Sequence, residues 1–176
     1  TDHSDPKQSP DSLFHDLGGA EGVEALVREF YHQMDTLPEV KPIRDMHPES
    51  LDVAIEKLYF FLSGWMGGPQ LYWEKYGHPR LRMRHLPFPI GPSERDQWLL
   101  CMAKALEVRG VDPAKAKFLM AALHRVAHHM INTEESQEGF KSLVAASTNG
   151  VIKTSLVSLI SNTPLYSYEI SYSNTR

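Results

Sequence analysis

The chain is predicted to fold as an all-α domain, on three observations. Apolar residues recur at three- and four-residue intervals in four separate stretches, the signature of amphipathic helices. Helix start and stop residues separate those stretches: Gly67-Gly68-Pro69, Gly110 and Asp112-Pro113. A length of 176 residues suits one domain with a sizeable core. The net charge of -4 and a pI near 6.1 give no reason to expect a nucleic-acid partner. Cys101 is the only cysteine, so no internal disulfide is expected. Neither end carries a basic-then-apolar signal and no apolar run is long enough to cross a membrane, so a cytoplasmic protein with no membrane partner is expected.

Residues 1–12 are polar, contain Pro6 and Pro10, and are expected to form a flexible N-terminal arm. Leu13 to Leu17 reads as a short helix capped by Ser12 and ended by Gly18-Gly19. From Glu21 to about Thr36, Val23, Leu26, Val27, Phe30, Tyr31 and Met34 trace one buried stripe, which Pro38 closes. Tyr31 on that stripe needs a partner for its hydroxyl, either at the rim of the core or in a ligand. Pro42 and Pro48 then bracket a connector carrying Met46 and His47.

A second helix is predicted from Glu49 or Ser50 to about Met66, with Leu51, Ile55, Leu58, Tyr59, Phe61, Leu62 and Trp65 giving it an apolar face wide enough for more than one neighbour. Ala54 and Leu58 lie four apart on one side of it. The stretch from Gly67 to Pro92 shows no helical or strand period and is expected to be a functional loop. It packs three arginines and two histidines into the eight residues His78 to His85, then three prolines into the next seven. Pro79 and Pro87 limit any helix around His85 to one or two turns. A neutral imidazole on so restrained a segment suits the axial coordination of iron, or is simply a surface histidine among arginines.

Ser93 reads as the N-cap of a third helix running to about Val108, with acids in its first turn and Trp98, Leu99, Met102, Ala103 and Leu106 inward. Asp112-Pro113 opens the fourth, over residues 113–132. There His124 and His128 are four apart, either as a metal pair or as histidines at the edge of an amphipathic face. The boundary of the helical domain is placed at residues 13–133. Beyond it, 13 of the last 43 residues are Ser or Thr, and residues 134–176 read as a C-terminal extension whose structure stays open: short helices or a hairpin, then an end that is either a weak strand or disordered.

Several of these motifs occur together in one known family. Leu-Gly-Gly at 17 to 19, Phe-Tyr at 30 and 31, His-Pro at 47 and 48, and Phe-Leu-Ser-Gly-Trp-Met-Gly-Gly-Pro at 61 to 69 are joined by Tyr-Gly-His-Pro-Arg-Leu-Arg-Met-Arg-His at 76 to 85 and Glu-Arg-Asp-Gln-Trp-Leu at 94 to 99. Over residues 13–132 the chain thus resembles the second group of the truncated, or two-over-two, haemoglobins. The resemblance implies a globin-like sandwich of two antiparallel helix pairs, 21–36 with 50–66 and 94–108 with 113–132, and a haem between them. It implies His85 as the proximal ligand of the iron, and Tyr31, His47 and Trp98 around the bound ligand with Leu58 as an apolar wall. Ala54 stands where many globins carry a distal histidine, leaving an access path. His47 departs from the tyrosine or phenylalanine more usual there, and a histidine predicts ligand release that changes between about pH 5.5 and 7.5. Lys57, Arg82 and Arg84 are candidates for the haem propionates, and Phe61, Met83 and Phe88 for ring contacts.

The implied cofactor is haem b held non-covalently, since no Cys-x-x-Cys-His is present. The implied activity is reversible binding of dioxygen or another diatomic ligand rather than catalysis, with distal hydrogen bonds slowing release. A haem-dependent peroxidase-like or nitric-oxide dioxygenase activity is the alternative, and would draw on an external reductase. A second copy of the chain, as a homodimer, is the other partner consistent with the sequence.

Overall fold

Helix α2 (Gly19–Thr36) is the spine of the domain, and its stripe of Val23, Leu26, Val27, Phe30, Tyr31 and Met34 is buried as the periodicity predicts. A computed structural model describes residues 12–133; the expectations for the N-terminal arm and the extension at residues 134–176 lie outside the described residues, Ser12 excepted. Around α2 stand α1 (Leu13–Asp16), a 3-10 turn at Pro38–Val40, α3 (Lys41–Asp45), α4 (Asp52–Trp65), α5 (Leu71–Tyr76), α6 (Leu81–His85), α7 (Pro92–Val108) and α8 (Pro113–His128). No strand occurs among the described residues. One pair is α2 with α4 and the other α7 with α8, and the broad contact of α2 with α7 joins them. This is the expected two-over-two arrangement, and the core is filled by Phe30, Leu26, Met34, Leu62, Leu99, Met102, Leu106, Leu119 and Leu123, all at most 2 % exposed.

The local signals place most helix ends within two or three residues. Ser12 Oγ accepts the His15 backbone N–H at 3.2 Å and caps α1. Asp112 accepts from the N–H groups of Ala114 and Lys115 and caps α8, with Pro113 in its first position. At α7 the expectation is corrected. Pro92, which has no N–H to lose, takes the first helical position, so Gly91 rather than Ser93 is the N-cap, and Glu94 accepts the Gly91 N–H at 3.1 Å.

Two further corrections concern segments too short to show a period. The stretch 67–92 contains α5 and α6. Glu56 of α4 fixes α5 by accepting from Lys75 Nζ at 2.8 Å and from the Tyr76 hydroxyl at 2.6 Å. The fourth helix ends at His128, not 132, because the chain turns there to meet the loop before α7.

Gly22 is where α2 starts so close to α1 that no side chain fits: a Cβ would lie 1.8 Å from the Leu17 carbonyl oxygen. Backbone cannot swing aside as a side-chain tip can. Gly22→Ala is therefore expected to destabilise the domain by about 3 kcal/mol, at the upper end for overpacking, read as a lowered urea midpoint. An unchanged midpoint would mean that the α1–α2 junction yields freely.

Candidate functional site

The site is built from α6 on one side and from α2, α3, α4 and α7 on the other. On α6, the His85 ring nitrogen Nδ1 lies 2.6 Å from the carbonyl oxygen of Leu81, one turn earlier. A carbonyl can only accept, so Nδ1 carries the proton and Nε2 keeps its lone pair. A metal-binding imidazole is held in this way, its second nitrogen fixing tautomer and ring direction.

His47, just after α3, is arranged in the same manner, with Nδ1 2.7 Å from the Ile43 carbonyl oxygen. Burial, opposed by that hydrogen bond and helped by the nearby charges of Arg44 and His85, holds its pKa below the ordinary 6.5. His47 and His85 thus share one electrostatic space although they come from opposite sides of the fold. Gln97 of α7 anchors α3 from behind: its Oε1 accepts the Ile43 N–H at 3.3 Å while its Nε2 donates to Ser93 Oγ at 3.1 Å.

Tyr31 is buried at 6 % exposure, and no hydrogen-bond partner of its hydroxyl falls among the described residues. Burial pushes its pKa far up, so the phenol keeps its proton as a donor. Its ring stands 5.9 Å from that of His47 and edge-on to Phe30 at 4.9 Å. Phe30 in turn lies 5.0 Å from the Trp98 ring, so Tyr31 and Trp98 flank one phenylalanine and His47 adjoins Tyr31. Trp98, Ala54, Leu58 and Phe61 are half-buried against the core.

Helix α4 is the most apolar of the long helices, yet only Leu62 and Ser63 of its residues are fully buried. Its wide face packs on α2 and α5 and leaves Ile55, Leu58, Tyr59, Phe60 and Phe61 partly uncovered. Met83, Leu86 and Phe88 beside His85 are 52 %, 54 % and 41 % exposed. So much apolar surface around a prepared imidazole fits a flat apolar macrocycle with one axial position for a histidine. Residues and cofactor agree.

The basic residues divide. Lys57 is exposed, with Nζ 5.3 Å from the Tyr76 ring centre, and Arg84 lies over the Tyr72 ring at 5.8 Å. Arg82 reaches across to the turn after α8, where Nη1 donates to the carbonyls of His129 at 2.6 Å and Ile131 at 3.0 Å.

Sequence reasoning missed three polar residues that hold this frame. Gln97 is one. Asn132 is the second, bonded by its side chain to the segment that follows His85. Asp96 is the third: read only as a first-turn acid favoured by the helix dipole, it is 1 % exposed, paired with Arg95 at 2.9 Å, and burial raises its pKa to about 6. Arg95 also donates to His128 Nδ1 at 2.9 Å. No local pattern separates these residues from ordinary surface polars, because each partner except Arg95 and Ser93 is far away in sequence. His124 is likewise buried, not at the helix edge, and its ring stacks on His128 at 6.2 Å. No cluster of three or more His, Cys, Asp or Glu that could hold a metal ion occurs among the described residues. Burial pushes the Cys101 thiol up to about 12, leaving it a packing residue. None of the described helices is long and apolar enough to cross a membrane.

Comparison with known proteins agrees with this geometry. The family model described as bacterial-like globin matches residues 12–132. The chain is 40% identical over 120 residues to the group 2 truncated hemoglobin YjbI of Bacillus subtilis (strain 168), spanning 68% of this chain and 89% of the relative. Among solved structures, the cold-adapted truncated hemoglobin of the Antarctic marine bacterium Pseudoalteromonas haloplanktis TAC125 superposes with a TM-score of 0.68 at 42% identity, over 70% of this chain and 99% of that one. The group II 2-on-2 hemoglobin of the plant pathogen Agrobacterium tumefaciens does so at 0.67 and 44% identity, over 70% and 95%. An all-helical two-over-two frame, a prepared imidazole on a short helix beneath uncovered apolar surface, and matches across the whole described domain show that this chain belongs to the haem-binding bacterial-like globins, and within them to the group II truncated haemoglobins.

Proposed function

We propose that this chain reversibly binds dioxygen or another diatomic ligand at a haem b whose iron is ligated by His85. The single observation that carries the reading is the His85 imidazole, with Nδ1–H tied to Leu81 and Nε2 left as a lone pair. When bound, the haem supplies an iron centre that accepts one protein ligand and one diatomic ligand. His85 holds the proximal side. Ala54 and Leu58 of α4 line the distal side with small and apolar groups, and Phe61, Met83 and Phe88 cover the ring. Lys57, Arg82 and Arg84 supply positive charge for the propionates, Arg82 while also bonded to the turn after α8.

Distal donation falls to Tyr31 and Trp98, whose hydroxyl and indole N–H have no protein acceptor among the described residues. His47 takes a different part from the one expected of it. With its Nδ1–H committed to Ile43, the neutral ring offers Nε2 only as an acceptor and so has no proton to give the ligand. It becomes a third donor to the ligand only on protonation. Because its pKa is held below that of an ordinary histidine, ligand release is expected to slow as pH falls, with the change displaced to the acid side of an unperturbed histidine's. Stopped-flow release in His47→Phe should lose the acid slowing. An acid limb that survives this substitution would assign it to another group.

Binding rather than turnover is favoured because the three polar groups suit holding a ligand, and the one carboxyl nearby whose pKa is moved toward neutrality, Asp96, is buried and paired with Arg95. Steady-state turnover with peroxide, and with nitric oxide plus an external reductant, tests this against free haem. Rates no greater than those of free haem are expected. A rate well above it would make the protein a redox enzyme.

A further inference from the structure

We infer that Asn132 is a positioning residue for the proximal histidine, a latch that fixes where α6 ends and so where His85 stands. This rests on the reading of His85 as the axial ligand. The side chain of Asn132 makes three hydrogen bonds to the segment just after α6. Its Nδ2 donates to the His85 carbonyl at 3.3 Å and to the Phe88 carbonyl at 2.8 Å, and its Oδ1 accepts the Ile90 N–H at 2.9 Å. The backbone closes the same junction from the other side: the N–H groups of Asn132 and Thr133 both donate to the Ile90 carbonyl, at 2.8 and 3.1 Å.

The segment so held needs an outside support. Residues 86–89 are exposed, Pro87 and Pro89 have no N–H to give, and Leu86 and Phe88 turn apolar side chains outward. Apart from the turn bonds of Leu86 and Phe88 back into α6, its polar backbone contacts run through Asn132. Arg82 adds a parallel tie from α6 to the carbonyls of His129 and Ile131. The amide supplies two N–H donors and an acceptor oxygen at once, so an aspartate, which only accepts when ionised, cannot stand in for it.

The test uses the full chain with haem bound, in the variants Asn132→Ala and Asn132→Asp, with His85→Gly in parallel. Three quantities are read: the iron–histidine stretching frequency of the reduced protein, the rate of haem transfer to an acceptor, and the thermal midpoint. Both Asn132 variants should shift the stretching band and speed haem loss by about tenfold, the scale on which supports behind a metal ligand act. Asn132→Ser, which keeps one hydroxyl able to donate or accept, should recover part of both, and serves alone if the other variants do not fold. A lowered midpoint with the stretching band and haem-loss rate unmoved would reduce Asn132 to a stabilising turn residue and overturn the inference. Haem held equally well by His85→Gly would instead overturn the axial assignment, whatever the Asn132 variants do.

Discussion

Replacing His85 with glycine is expected to raise the rate of haem loss by at least about a hundredfold. Groups that only support a metal ligand cost ten- to a hundredfold when removed, and this substitution removes the proposed ligand itself. The remaining attraction would be apolar contact with α4 and with Met83, Leu86 and Phe88, which holds a macrocycle without fixing its iron. The domain should still fold, since His85 is half-buried and belongs to no part of the core. Added imidazole should restore the spectrum, because the side chain leaves a space of its own size. Haem transfer to an excess of an acceptor protein, followed by absorption, gives the rate.

The second large effect is expected from Tyr31→Phe and Trp98→Phe together. Tyr31→Phe keeps the ring and Trp98→Phe leaves a smaller aromatic ring; each removes one donor, and each net hydrogen bond is worth about 0.5 to 1.5 kcal/mol. Either alone should therefore speed ligand release by about two- to tenfold, and both together by up to about a hundredfold if they act independently. Independence is itself in question, because Phe30 touches both rings and would pass a shift of one on to the other. A double variant slower than the product of the single effects would measure that coupling. Release unchanged in the double variant would mean that neither group reaches the ligand.

The parts of this molecule legible in its sequence are those whose signal is local. The stripe of α2 from Val23 to Met34 is buried as its spacing requires, and Ser12 and Asp112 cap the helices they precede. The breadth of the apolar face on α4 was readable too, and its partial exposure turns a packing expectation into a place for a cofactor. Short helices were not legible: α5 and α6 complete fewer than two turns, so no period can develop in them, and what fixes α5 is Glu56 on another helix.

The site divides along the same line. His85 could be singled out between Pro79 and Pro87, but which of its nitrogens is free depends on the distance to the Leu81 carbonyl, a property of the folded backbone. His47 shows the limit most clearly. Its residue type suggested a donor titrating near neutrality, whereas the carbonyl of Ile43 takes its one proton and burial lowers its pKa. Asn132 and Gln97 act across separations of 42 or more residues, beyond the reach of any periodicity.

The most direct measurement is a titration of the haem-free full chain with haem, followed at the Soret band and repeated for His85→Gly. The account predicts saturation at one haem per chain, with a reduced spectrum of histidine-ligated iron that the glycine variant shows only when imidazole is supplied. A chain that gives no saturable band, or one whose spectrum and stoichiometry are the same with glycine at position 85, would contradict it.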